Sequence, residues 1–237
     1  MAGFGAFGKM PALGDFFRIN AAPDFVDPWD AWLQQGILSM RDAMGARWSP
    51  CYLSAPIWRF SLSPGLAGPA AAMGVLMPSV DRVGRQFPLT LMSSGGGAGA
   101  LLRCHLRFDE TFAQLEDIAL DMLEDDASRE CLAERLAALE VPEIVRPELS
   151  ANLQRLPGAV ALSLAERGDA DAAVEPAVDL AETLLMDGFR RPSLWSADLN
   201  GTRRYLMAEG LPAGSSLAAL FDPGGAVWMT KTEGALT

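Results

Sequence analysis

Five charged side chains stand among residues that otherwise read as core: Asp15 in LGDFFR, Arg59 in IWRFSLS, and Asp81, Arg82 and Arg85 in MPSVDRVGRQFPLTL. Carboxylates and guanidinium groups in apolar surroundings can fix a loop as an internal ion-pair network, form a recognition surface, or work as acid and base in a pocket. An Arg among buried aromatics needs a carboxylate, because leaving it unpaired costs several kcal/mol. Asp81 or Asp15 can supply one, so the expected arrangement pairs Arg85 or Arg59 with Asp81 or Asp15. Gly84 permits a positive φ in the same loop.

Other chemistry-bearing patterns fail on their context. GFGAFGKM, residues 3–10, matches G-x-G-x-x-G at Gly3, Gly5 and Gly8, and nearly matches a phosphate-binding loop through Gly3, Gly8 and Lys9. Met10 stands where Ser or Thr must hold magnesium, and only two residues precede Gly3, too few for the strand that aims such a loop. A glycine-rich first strand and turn is the expectation. His105 is the sole histidine, without a metal-ligand spacing around it, and is expected to be a structural residue. No G-x-S-x-G elbow occurs, and on a strand Cys104 and His105 would face opposite sides. Cys51, Cys104 and Cys131 are odd in number and scattered, which suits buried free thiols better than a disulfide framework. No catalytic, cofactor or metal residue is assigned.

The net charge of −11 is uneven. Residues 1–105 hold 8 Lys and Arg against 6 Asp and Glu, and residues 106–237 hold 11 against 24. Such a balance repels phosphate backbones and anionic membranes, which excludes nucleic-acid binding as the main task. The run Glu124, Asp125 and Asp126 reads as a solvated helix end or as an acidic docking surface for a basic partner. No apolar run approaches membrane-spanning length and no leader pattern opens the chain, so a cytoplasmic location without direct membrane insertion is expected.

The elements that must position these groups mix helix and strand. The stretch 1–92 is rich in aromatics and prolines, 93–100 (SSGGGAGA) reads as a loop, 101–140 is helical in pattern, and 141–237 is mixed α/β. DPWDAWLQQGILSMRDAMG predicts a helix capped by Asp27, with Pro28 at its first position and Gly45 at its end. Its stripe of Trp29, Trp32, Leu33, Ile37, Met40 and Met44 should be buried against a sheet. Further helices are predicted over 109–125, with Asp109 as cap, and over 129–140, capped by Ser128. IWRFSLS, MGVLMPS, FPLTLMS, AVALSLA, PSLWSADL and RRYLMAEG read as strands. The fold class is mixed α/β, a central sheet covered by helices, within a single domain over 1–237.

Three ordered blocks, GAFGKMPALGDFFRINAAPDFVDPWDAWLQQGI, YLSAPIWRFSLSPG and MGVLMPSVDRVGRQFPLTL, resemble the N-terminal signature of the TagF family associated with bacterial type VI secretion. The resemblance is dense over residues 3–92. PSLWSADLNGTRRYLMAEGLPAG is similar to the family's C-terminal strand region more loosely, with Ser196 where a second aromatic is expected. The resemblance implies a three-layer α/β/α sandwich, longin-like, and a non-enzymatic cytoplasmic repressor of type VI secretion assembly that acts through protein contacts. Its implied partner is a forkhead-associated scaffold protein of the same apparatus. Some relatives carry a fused metal-dependent phosphatase domain, of which this sequence shows no motif. Two other readings stand beside the repressor: a structural or chaperone-like adaptor of the apparatus, and a hydrolase or transferase centred on Asp15, Arg59, Asp81 and Arg85.

Overall fold

The computed structural model describes residues 3–96, 101–124, 126–142, 152–156, 159–163 and 176–229. Two short strands, β1 (Gly5–Gly8) and β2 (Phe17–Ile19), lead into the long helix α1 (Pro23–Met44) and the short α2 (Trp48–Ser54). Three strands follow, β3 (Trp58–Leu62), β4 (Ala71–Met77) and β5 (Leu89–Gly96), and then three helices, α3 (Leu101–Arg107), α4 (Asp109–Asp121) and α5 (Arg129–Ala138). A separate hairpin, β6 (Asn152–Leu156) with β7 (Ala159–Ser163), precedes α6 (Pro176–Gly188). The hairpin β8 (Pro192–Leu199) and β9 (Thr202–Glu209) is followed by α7 (Ser215–Phe221).

Seven strands form one sheet in the order β2-β1-β5-β4-β3-β8-β9, with every neighbour antiparallel. Strand alternation divides the side chains between two cores. Trp58, Phe60 and Leu62 of β3 join Trp195 and Ala197 of β8 under α1, α2 and α7. On the other face Val75 and Met77 of β4 and Leu89 and Leu91 of β5 pack against Phe112, Leu115, Ile118 and Ala119 of α4 and Leu132 and Leu136 of α5. The result is the expected α/β sandwich, a sheet between two helical layers.

The stripe of α1 is buried at Phe25, Val26, Trp29, Leu33, Ile37 and Met40. Trp29 lies at its centre, against Phe25, Trp32, Phe60 and Trp195, with its indole N–H donating to Thr90 Oγ1 at 2.9 Å. Trp32 is only half-buried, at the rim of the stripe, where its indole N–H donates to the Pro212 carbonyl at 2.8 Å.

Several boundaries differ from the sequence reading. Helix α1 begins at Pro23, not after Asp27: Pro23 holds the first-turn place assigned to Pro28, with Asp24 beside it, while Pro28 sits inside the helix. Its end at Gly45 agrees, with the Gly45 N–H bonded to the Arg41 carbonyl. Helix α4 is preceded immediately by α3, so Asp109 caps nothing and its carboxylate goes to ion pairs instead. Ser128 does cap α5, accepting from the Cys131 N–H at 3.1 Å. Residues 93–96 extend β5 rather than forming a loop, and 97–100 lie outside the described residues. Cys131 is exposed and Cys51 and Cys104 half-buried, against the expectation of buried thiols.

Candidate functional site

Strands β4 and β5 are joined by the loop that carries Asp81, Arg82 and Arg85, and the loop is built around one carboxylate. Asp81 Oδ2 accepts from Lys9 Nζ at 2.9 Å and from Arg85 Nε at 2.6 Å. Its Oδ1 accepts from the backbone N–H groups of Val83 at 3.1 Å and Arg85 at 2.9 Å. The main chain closes the turn through Gly84 N–H to the Asp81 carbonyl and Asp81 N–H to the Arg85 carbonyl, with Gly84 at φ 80°. Arg82 N–H donates to the Leu13 carbonyl and Arg85 Nη2 to the Gly14 carbonyl, which ties the loop to the β1–β2 connection. Asp15 meets Arg85 only at 3.5 Å, from an almost fully exposed position.

Burial by itself would raise the Asp81 carboxyl, but the hydrogen bonds from Lys9, the Arg85 amide and guanidinium, and the Val83 amide more than reverse it. The group is held well below the usual carboxylate range. Lys9, which the glycine pattern offered as a phosphate ligand, is therefore the buried partner of Asp81. A lysine flanked by buried Phe7 and Met10 required a carboxylate, and that was the available signal. The glycines have a packing reason: a Cβ on Gly8 would stand 2.1 Å from the Pro88 carbonyl oxygen.

Beneath this frame the loop presents a mixed apolar and basic tip. Val83 is 73 % exposed, Phe16 is 47 % exposed, and Arg82 and Arg85 are also exposed. Phe16 is fixed in place by Phe7 and Phe87, with Lys9 Nζ over its ring at 4.8 Å.

Arg59 does not belong to this network, contrary to the sequence reading. Alternation along β3 turns it to the α4 side, where Nε and Nη2 form a bidentate pair with Glu116, both at 2.8 Å, and Nη1 meets Asp109 at 2.5 Å. Asp109 also accepts from Arg203 of β9 at 2.8 Å, and Arg203 grips Asp198 of β8. Asp109, Phe112 and Glu116 repeat at three and four along one face of α4, which is why one guanidinium reaches both acids and the ring. Of the sequence candidates, the structure thus unites Asp81 with Arg85, leaves Asp15 at the margin and Arg82 at the tip, and separates Arg59. Glu124 and Asp126 are exposed, and Asp125 lies outside the described residues.

His105 lies on α3, not on a strand, sealed between that helix and the sheet. Its Nδ1 is 2.9 Å from Ser61 Oγ of β3 and its Nε2 2.8 Å from Ser196 Oγ of β8. Ser196, which stands in place of an expected aromatic, thus completes a buried polar bridge. Burial pushes the imidazole pKa down to about 3, and the Arg59 and Arg203 charges push the same way. The neutral ring donates from one nitrogen and accepts at the other. The single histidine signal in a proton NMR titration is expected to show no inflection between pH 8 and 5. An inflection near the ordinary value of about 6.5 would place the ring in water.

Among the described residues, no group of three His, Cys, Asp or Glu side chains is placed to hold a metal ion, and no helix is long and apolar enough to cross a membrane. None of the curated proteins compared with the chain matches it. A solved structure does: PA0076 from Pseudomonas aeruginosa PAO1, at 32 % identity and a TM-score of 0.73, over 94 % of this chain and 95 % of that one. The family profile of the TagF N-terminal domain, type VI secretion system-associated, matches residues 5–139. That span holds β1–β5 with α1–α5, including the whole Asp81 loop, and the chain belongs to the TagF family of type VI secretion-associated proteins.

Proposed function

We propose that the chain is a cytoplasmic, non-enzymatic regulator that restrains type VI secretion assembly by binding a forkhead-associated scaffold protein of that apparatus. The observation that carries this reading is the preformed tip at Arg82, Val83, Arg85 and Phe16. The backbone N–H groups of all five residues from Asp81 to Arg85 are hydrogen-bonded, so docking there orders little further chain. Arginine beside exposed apolar side chains is the composition of binding hot spots. On a chain of net charge −11, this basic tip selects an acidic segment of the partner. The exposed Glu124 and Asp126 offer the opposite polarity, suited to the basic residues with which forkhead-associated domains capture acidic motifs.

Calorimetric titration of the purified chain with the scaffold protein separates these surfaces. Arg82→Glu with Val83→Asp is expected to weaken binding about tenfold or more while leaving the thermal midpoint in place. Binding is also expected to weaken as salt shortens the Debye length from about 10 to about 3 Å. Loss of binding in Glu124→Lys with Asp126→Lys, but not in the loop variant, would move the contact to the acidic run. Absence of binding by the unaltered protein, together with unchanged secretion when its gene is deleted, would overturn the regulatory reading.

A further inference from the structure

Two guanidinium groups of the tip converge on one glycine. Arg85 Nη2 donates to the Gly14 carbonyl at 2.6 Å, and a Cβ on Gly14 would stand 3.2 Å from Arg82 Nη2, tighter than ordinary van der Waals contact. The dimensions of a single residue then hold the two Nη2 atoms within about 9 Å of each other. That is close to the span of one phosphate group with a charge-assisted hydrogen bond on either side. The Arg82 amide is fixed on the Leu13 carbonyl, so the backbone of both loops sets this convergence.

The two arginines differ in what engages them. Arg85 commits Nε to Asp81 and Nη2 to Gly14, whereas the Arg82 side chain makes no hydrogen bond or ion pair with the described residues. Three cations, Lys9, Arg82 and Arg85, stand here against two carboxylates, and Asp81 is enclosed beneath the loop. The other carboxylate, Asp15, follows Gly14 directly, yet its side chain is 94 % exposed and reaches Arg85 only at 3.5 Å. A carboxylate tethered at this spot thus leaves Arg82 unneutralised. A phosphomonoester brings a charge of about −1.5 to −2 and three strong acceptor oxygens, enough for both guanidinium forks.

We infer that Arg82 and Arg85 form a phosphate-binding site, which captures a phosphorylated serine or threonine in a segment of a partner protein. The inference rests on the reading of the tip as the docking surface and names the chemistry that this surface selects. The exposed side chains of Phe16 and Val83 flank the pair and receive apolar residues beside the phosphate, a service that a free phosphate ion does not need. A nucleic acid or an anionic membrane, which also presents phosphates, is repelled by the net charge of −11. A short peptide segment meets only the local positive field of the tip.

Fluorescence anisotropy of the full chain with labelled peptide pools tests the site. The pools carry phosphothreonine, threonine or glutamate at one fixed position, flanked by randomised neutral and apolar residues. Binding to the phosphothreonine pool is expected to be about tenfold or more tighter than to the glutamate pool, and inorganic phosphate should compete with it. Arg82→Gln should remove that preference without moving the thermal midpoint, since the side chain makes no bond within the fold. Arg82→Lys keeps the charge but loses the fork, and it should restore the preference only in part. Absence of binding to the phosphothreonine pool, equal binding to the glutamate pool, or a preference that survives Arg82→Gln would overturn the proposal. So would Arg82-dependent binding to vesicles of phosphatidic acid in phosphatidylcholine in place of the peptides, which would assign the pair to a lipid headgroup. Calorimetry with the scaffold protein keeps the two readings apart. Scaffold binding that depends on Arg82, without any preference for phosphate in the pools, would remove this inference alone. Phosphothreonine binding without scaffold binding would keep the site and remove the partner assigned to it.

Discussion

Trp29→Ala is expected to lower the stability of the fold by about 3–5 kcal/mol, the largest single-residue effect foreseen here. The indole is fully buried where α1 meets β3 and β8, and four aromatic rings surround it. Truncation leaves a cavity between rigid rings that cannot collapse, and it deprives Thr90 Oγ1 of its donor. For a chain of 237 residues that corresponds to a fall of roughly 10 °C in the thermal midpoint. Trp32→Ala should lower it much less, since that ring is half outside the core. Equal midpoints for the two variants would show that the α1 face is rotated from the position described.

Asp81→Asn should rank second, at about 3 kcal/mol, the low end of the range for breaking a buried ion pair. The discount reflects Arg85, whose side chain covers the carboxylate from the solvent side and is itself more than half exposed. The neutral amide leaves the Lys9 ammonium buried without its counter-charge. The pH dependence has a definite sign. The carboxyl is depressed in the folded state and ordinary in the unfolded one, so its contribution is complete above about pH 4 and is lost as pH falls through the usual carboxylate range and below. Urea unfolding at pH 7 and pH 3.5 should therefore show the variant's deficit shrinking with acid. Adding Lys9→Met to Asp81→Asn should recover part of the loss, because the stranded charge is then gone. A deficit that is absent at pH 7, or unchanged at pH 3.5, would remove the ion pair from the account of loop rigidity.

What the sequence disclosed depended on how far apart the interacting residues lie. Helix α1 and the strands announce themselves by local periodicity, and the spacing of Phe112, Leu115 and Ala119 marks the buried face of α4 in the same way. Asp81 and Arg85 are four residues apart in one turn, so their pairing was also within reach. Lys9 is 72 positions from Asp81, and Glu116 is 57 from Arg59. Charge demand shows that such groups need partners, whereas the sheet order decides which ones they meet. Strand β2 has three residues, too few for any periodicity to appear. The start of α1 was misplaced because two prolines, Pro23 and Pro28, each fit a first-turn position, and only the outer one holds it. The serines around His105 stand out by no pattern, since Ser61 shares β3 with Arg59 and Ser196 shares β8 with Ser193 and Asp198.

The junction of β3 with β8 bears on how the chain is made. Phe60 pairs with Trp195, 135 positions later, and the matched family span ends at residue 139, before β8. At a synthesis rate of about 5–20 residues per second, a ribosome needs on the order of ten seconds to travel from one strand to the other. Throughout that interval β3 has β4 on one side and a bare edge on the other, while Trp29 and Phe60 await the ring that closes over them. The nascent protein thus holds an unfinished sheet until its last quarter emerges, and the β8–β9 hairpin is the step that shields it.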